Sequence, residues 1–261
     1  LGSSYDSSAT RDILEKNAPI VQALTELFRV KFDPSIAGLS SDTVCDKRRS
    51  LMERAQQQVE KLIDDVSDLT SDLILRQFYN LINATLRTNF YRGNPIKGRQ
   101  LVLKLAPDQI DRAPEPRPYR EIFVHHPYVS GLHLRGGPVA RGGIRWSDRR
   151  TDFRDEVLGL MDTQNLKNVV IVPRGAKGAF IARKAIPAGE DPRPFGKEAY
   201  TYFINGLLEV TDNLIKGEVK TPELVLRYDD LDHYLVVAAD KGTATFSDIA
   251  NSISQEYNFW L

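Results

Sequence analysis

Between Arg135 and Phe180, three short segments gather glycines and cations. They are Gly136-Gly137-Pro138-Val139-Ala140-Arg141-Gly142-Gly143-Ile144-Arg145, then Leu166-Lys167-Asn168, then Pro173-Arg174-Gly175-Ala176-Lys177-Gly178-Ala179-Phe180. Glycine has no Cβ, so the backbone turns sharply and lets a ligand approach its N–H and C=O groups, while the neighbouring cation meets an anionic end. Lys177 is the sharpest case, lying between Gly175 and Gly178 just after the β-branched run Val169-Val170-Ile171-Val172. A strand over that run places the amine at a strand's C-terminal end, where open α/β sheets bind ligands. A phosphate cradle fits less well, because Gly-Ala-Lys-Gly lacks the G-x-x-x-x-G-K-[ST] spacing and has no Ser or Thr after the lysine.

Other reactive-looking groups read as structural. His125 and His126 are adjacent on an expected strand, so they point to opposite faces, and no third ligand is spaced for a metal. Asp148, Asp152, Asp155 and Glu156 alternate with Arg145, Arg149, Arg150 and Arg154, the pattern of a salt-bridged helix start. The single cysteine, Cys45, excludes an internal disulfide and a cysteine-based zinc site. Lys plus Arg and Asp plus Glu balance at 35 each, so no global field draws the chain to nucleic acid or an anionic membrane. No apolar run approaches the roughly 20 residues of a membrane span, and the N-terminal residues lack the features of a signal peptide. A cytoplasmic location is expected.

The elements that must position these residues fall into two parts. Apolar spacing predicts helices through the first third: about 13–28, with Pro19 ending, kinking or starting one, then about 46–66, then about 70–88. The pattern changes after Arg92-Gly93-Asn94-Pro95. Short β-type runs follow at 100–105, 121–124, 131–135, 169–172 and 234–239, the last expected as a buried strand. Helices are expected at about 152–166, 196–214 and from 246 onward. This is an α/β fold, a helical N-terminal region (1–93) followed by a mixed-sheet α/β domain (94–261).

The motif order then becomes specific. Arg141-Gly142-Gly143-Ile144-Arg145, Glu156-Val157-Leu158-Gly159-Leu160-Met161, Lys167-Asn168 and the stretch from Pro173 through Lys177-Gly178 resemble the glutamate/leucine/phenylalanine/valine dehydrogenase superfamily. With Trp146-Ser147-Asp148-Arg149-Arg150 and the run from Leu235 through Asp240 to Asp248, the sequence is similar to the large NAD-specific bacterial glutamate dehydrogenases. The resemblance implies that Lys177 is the catalytic lysine and that Lys167 grips the substrate α-carboxylate. It also implies that the Arg141-Gly142-Gly143 turn holds the distal carboxylate and that Asp240 is the acid/base carboxylate. The implied reaction is oxidative deamination of L-glutamate to 2-oxoglutarate and ammonia, in a homo-oligomer using NAD. Two positions depart from the pattern: Arg141 stands where smaller members carry lysine, with a different reach to a carboxylate, and Ala179 follows Gly178 in place of a second glycine. The sequence contains no G-x-G, so the cofactor is expected to be held by a domain absent from this chain, which reads as a fragment truncated before it. The competing reading is a non-catalytic assembly or regulatory module that retains an amino-acid site.

Overall fold

The computed structural model describes residues 6–36, 45–93, 99–111, 113–149, 152–167, 174–240 and 242–260, with the side chains of 164–167 outside that description. Four helices come first: α1 (Ser7–Lys16), α2 (Ala18–Phe32), α3 (Asp46–Asp64) and α4 (Leu69–Ala84). Pro19 sits in the first turn of α2, where its missing N–H is no loss, so it starts that helix. Asp68 caps α4 by accepting from the Ser71 N–H at 2.8 Å. Ile20, Leu24, Leu27, Val59, Ile63 and Leu75 interlock as the core of this helical layer.

The change to sheet comes earlier than Arg92. The chain leaves α4 at Ala84 and passes directly into β1 (Thr85–Thr88), where the stretch Thr-Leu-Arg-Thr is fully buried. The helix predicted to 88 stops short because Thr85 and Arg87 are taken up by the sheet. Then follow β2 (Leu101–Leu105), β3 (Arg120–His126), β4 (Val129–Arg135), β5 (Gly143–Trp146), α5 (Phe153–Lys167), β6 (Ala176–Ala182) and α6 (Arg193–Glu209). A two-stranded hairpin, β7 (Asn213–Ile215) with β8 (Glu218–Lys220), precedes β9 (Ala238–Ala239) and α7 (Ser247–Glu256).

Among the described residues, seven strands form one mixed sheet in the order β1-β2-β3-β4-β6-β5-β9. The β1 to β4 meander and the β4–β6 pair are antiparallel, whereas β6–β5 and β5–β9 are parallel. The two faces are covered by different helices. Leu132, Leu134 and Ala179 pack on Val157, Leu158 and Met161 of α5. Val102, Ile122, Val124, Ile144 and Phe180 pack on Tyr200, Phe203, Ile204 and Leu207 of α6. Each large side chain buried this way contributes roughly 1.5–3 kcal/mol, so the sheet is held rigidly from both sides.

Of the expected strands, the run 169–172 lies outside the described residues. The run 234–239 is not a buried strand: only Ala238–Ala239 pairs, both residues are exposed, and Leu235 alone among the six is buried. The backbone just before that pair is claimed by an ion network built on Arg135 and Asp232 instead of by a ladder. The helix expected to 214 ends at Glu209, where Thr211 Oγ1 bonds back to Leu207 O and Asp212 turns into that same network.

Candidate active site

Lys177 is the second residue of β6, near that strand's N-terminal end, and the run 169–172, expected to precede it as a strand, lies outside the described residues. Asp240 immediately follows β9. In the sheet order, β5 lies between these two strands, so their backbones stand about two strand spacings, ~10 Å, apart. Register fixes which way they face. Ile144 pairs with Gly178 and Gly143 with Ala238, which puts Lys177, Gly143, Ala238 and Asp240 on one face, the α5 side. Lys177 Nζ and Asp240 Oδ2 meet in an ion pair that closes over Gly143. A Cβ at Gly143 would come to 3.0 Å from Asp240 Cβ, so the bare glycine leaves the room that pairing needs.

Gly142 has a stricter requirement. A Cβ there would lie 1.5 Å from the Ala176 carbonyl oxygen, so only glycine lets the 141–143 turn lie this close to β6. Ala176 N–H donates to Arg141 O at 3.0 Å and Ala238 N–H to Gly142 O at 3.2 Å, stitching the turn between β6 and β9. Arg141, Gly142, Gly143, Lys177, Val236, Ala238, Ala239 and Asp240 line one open cavity of about 370 Å³. A larger depression of about 750 Å³ runs along α1 and α2 past Leu14, Ala18 and Val21. The smaller cavity is the candidate site, because it gathers two of the three Gly/cation segments around an ion pair.

Asp240 is held from behind. Its N–H donates to Thr243 Oγ1 at 3.0 Å, and the Thr243 N–H donates to Asp240 O at 3.0 Å. Thr243 is fully buried and its hydroxyl also reaches Ile144 O at 2.7 Å. Gly242 takes φ +84, which a side chain would strain, and completes the turn. Thr243 thus anchors the Asp240 backbone from which the carboxylate reaches Lys177. Lys167 closes α5, and its side chain lies outside the described residues, so the structure brings together Arg141, Gly142, Gly143, Lys177 and Asp240 of the six candidates.

Reasoning from sequence missed a buried ion network on the opposite, α6 face. Arg87 of β1, Lys104 of β2 and Arg135 of β4 meet Asp212, Asp229 and Asp232. Arg87 Nη1 reaches Asp212 Oδ1 at 2.7 Å and Arg87 Nε reaches Asp229 Oδ1 at 2.6 Å; Lys104 Nζ reaches Asp229 Oδ2 at 2.6 Å and Asp232 Oδ2 at 2.7 Å. Burial pushes the Asp232 carboxyl up, but Lys104 and Arg135 outweigh it and hold it well below the usual carboxylate range. The only sequence signal is the acidic run Asp229-Asp230-Leu231-Asp232, whose partners lie about 95–145 residues earlier on three strands.

The residues read as structural take such places. His126 is buried and stacks on Tyr202 with ring centroids 4.0 Å apart. His133 lies beside Gly178 on the α6 face, and burial, reinforced by Arg135, pushes it down to about 3, so it is neutral. At the start of α5, Arg149 pairs with Asp152, Arg154 with Glu121, and Arg145 with Glu156. Among the described residues, no group of three His, Cys, Asp or Glu is placed to hold a metal ion, and no helix is long and apolar enough to cross a membrane. The β5–α5–β6 crossover is the parallel unit in which a dinucleotide site would be sought, but its helix opens with Asp155 and Glu156 and its described turn has no glycine. Those carboxylates oppose a pyrophosphate, so the residues here do not fit a dinucleotide.

Comparison with known proteins agrees on one family. The family described as bacterial NAD-glutamate dehydrogenase, catalytic domain, matches residues 58–261. An NAD-specific glutamate dehydrogenase of Halomonas elongata is 49% identical over 100% of this chain, and one of Pseudomonas aeruginosa is 48% identical over 98%. One of Neurospora crassa is 30% identical over 73% of the chain. The chain spans 16% of the length of the first two and 18% of the third.

Proposed function

Since the chain belongs to the bacterial NAD-glutamate dehydrogenase catalytic-domain family, we propose that it carries the substrate-binding and proton-handling part of an enzyme that deaminates L-glutamate oxidatively to 2-oxoglutarate and ammonia. Its place in the wider glutamate/leucine/phenylalanine/valine dehydrogenase superfamily rests on the motif order from Arg141 to Lys177. The observation that carries the reading is the Lys177–Asp240 pair, set over Gly143 in a cavity whose rim carries Arg141.

The positions of the groups support the following roles, which the resemblance implies. Arg141 offers a planar guanidinium for the distal carboxylate of a dicarboxylic amino acid, bidentately. Lys167 is assigned the α-carboxylate by the resemblance. Lys177, already hydrogen-bonded to an acid, donates to the oxygen of the water that adds at Cα and to the resulting carbinolamine. Asp240 takes the proton from that water and returns one to the departing nitrogen, a role supported by its anchoring to Thr243 and its direct contact with Nζ. NAD, the hydride acceptor of the reaction, is proposed to be bound by residues outside this chain, and no step here runs through it. A homo-oligomeric state is proposed on the resemblance alone, and a cytoplasmic setting only as the default reading of the sequence.

Titration calorimetry with glutamate and with 2-oxoglutarate tests the substrate assignment. Binding that is retained in the unsubstituted protein and weakened at least tenfold in Arg141→Ala and in Lys167→Ala is expected. Equal affinity in all three proteins would reject the carboxylate roles.

A further inference from the structure

The cavity has two walls that are far apart in sequence, residues 136–143 with Arg141 and residues 232–240 with Asp240. Neither is a regular element for most of its length. Both are tied to the same buried side chain. Arg135, 3% exposed at the end of β4, donates from Nη1 to Tyr234 O at 2.6 Å, to Asp232 Oδ1 at 3.0 Å and to Pro138 O at 3.5 Å. Its Nη2 is bonded to Asp232 Oδ2. Its own backbone pairs with Ala176, next to Lys177, and the following N–H, of Gly136, donates to Gly175 O at 2.9 Å.

From this convergence we infer that Arg135 is a positioning residue for the active site. Its guanidinium holds the Arg141 wall and the Asp240 wall in register with the strand that carries Lys177. It touches no reacting atom, since it lies on the α6 face and Lys177 on the α5 face. A guanidinium suits the task because its donors diverge in one plane, so one group serves a carboxylate and two carbonyls from different segments at once. A lysine has the same charge but no fork, and serves fewer of them. Asp232 shares the role as the acceptor that fixes the fork, its Oδ2 also taking Lys104 Nζ at 2.7 Å. This inference rests on the proposed function only for its kinetic consequence; the tethering itself stands on the contacts.

The test uses Arg135→Lys in the intact enzyme, with Arg87→Lys as a matched control. Arg87 belongs to the same buried network, yet its contacts are Asp212, Asp229, Val210 O and Asp230 O, away from the 136–143 wall. Both substitutions are expected to lower the unfolding temperature. Arg135→Lys is also expected to lower kcat/KM for glutamate by on the order of tenfold or more, through misplacement of both walls. Arg87→Lys is expected to keep it within about threefold.

Backbone hydrogen exchange supplies a readout independent of the reaction. Faster exchange in both 136–143 and 232–240 of Arg135→Lys, and not of Arg87→Lys, supports the tether. Unchanged exchange in either wall, or the same kinetic loss in both variants, overturns it. Asp232→Asn, which keeps shape and removes the gripped charge, must show the same two-wall loosening, and it decides the matter if Arg135→Lys does not fold. If the unsubstituted enzyme fails to oxidise glutamate, the functional reading falls, while the exchange data still decide the tether.

Discussion

Replacing Gly142 by alanine asks the structure for room it does not have. The new Cβ would stand 1.5 Å from the Ala176 carbonyl oxygen, where real Cβ contacts essentially never fall under 3.0 Å. The turn and β6 must therefore part by about 1.5 Å, the difference between those distances. The obstacle is backbone in a strand buried under α5, so no side chain can swing away. Such a shift carries the 3.0 Å bond from Ala176 N–H to Arg141 O beyond hydrogen-bond range and strains the 3.2 Å bond from Ala238 N–H to Gly142 O. Each lost bond costs about 1 kcal/mol, and overpacking adds roughly 1–3 kcal/mol. Gly142→Ala should thus lose on the order of 2–5 kcal/mol in urea unfolding. Gly143→Ala is the comparison: its Cβ meets the Asp240 side chain at 3.0 Å, a contact that yields by a few tenths of an ångström. It should lose under about 1.5 kcal/mol, yet displace the acid and lower turnover. If Gly142→Ala unfolds at the midpoint of the unsubstituted protein, the close approach of turn and strand is wrong.

Stability should respond elsewhere too. Gly159, exposed in α5, has open space where a Cβ would stand, with nothing within 4 Å, so Gly159→Ala should raise stability by about 0.5–1 kcal/mol in the same assay. Acid should destabilise through the ion network. Burial pushes Asp229 and Asp232 up, but Lys104 with Arg87 and Lys104 with Arg135 outweigh it, and both carboxyls end below their ordinary range. Their stabilisation is present above the unfolded carboxylate value of about 3.9 and drains away as pH falls through it towards the folded values. The urea midpoint should drop between about pH 4 and pH 2, less steeply in Asp232→Asn. Lys31 acts with the opposite sign. Burial lowers it to about 7, although its Nζ donates to Ile82 O at 2.9 Å and Asn83 O at 2.7 Å. Between about pH 7 and pH 10 the unfolded chain holds the extra proton, so stability should climb across that window and the climb should flatten in Lys31→Met. An unfolding midpoint of the unsubstituted protein that stays constant from about pH 7 to about pH 9.5 would refute the burial of this amine.

Much of this architecture is legible in the residues because it is local. The apolar stripe at Val59, Leu62 and Ile63 and the alternating strand at 121–124 each report one element's own period. The Gly/cation segments locate the cavity because glycine at Gly142 answers a steric demand that no other residue meets. What cannot be read is non-local. β5 and β6 carry glycines and a lysine where strand formers are expected, since function overrides propensity at their site ends. The stretch before β9 looks like a strand by composition, but Arg135 takes the carbonyl of Tyr234, and that competition is visible only once β4 is placed beside it. The Arg87–Lys104–Arg135 set is invisible for the same reason: strand pairing assembles it. Asp240 is pointed out by family resemblance alone, and its contact with Lys177 across β5 depends on a strand order that no spacing encodes.

Whether Lys177 works at the reacting centre opposite Asp240 is tested most directly by the steady-state rate of glutamate-dependent NAD reduction in the intact enzyme, with Lys177→Ala compared with the unsubstituted protein. In that variant kcat should fall by at least about 10³-fold with the unfolding midpoint little changed, because Lys177 is partly exposed at the cavity. A kcat within a few-fold of the unsubstituted enzyme would contradict the role given to Lys177.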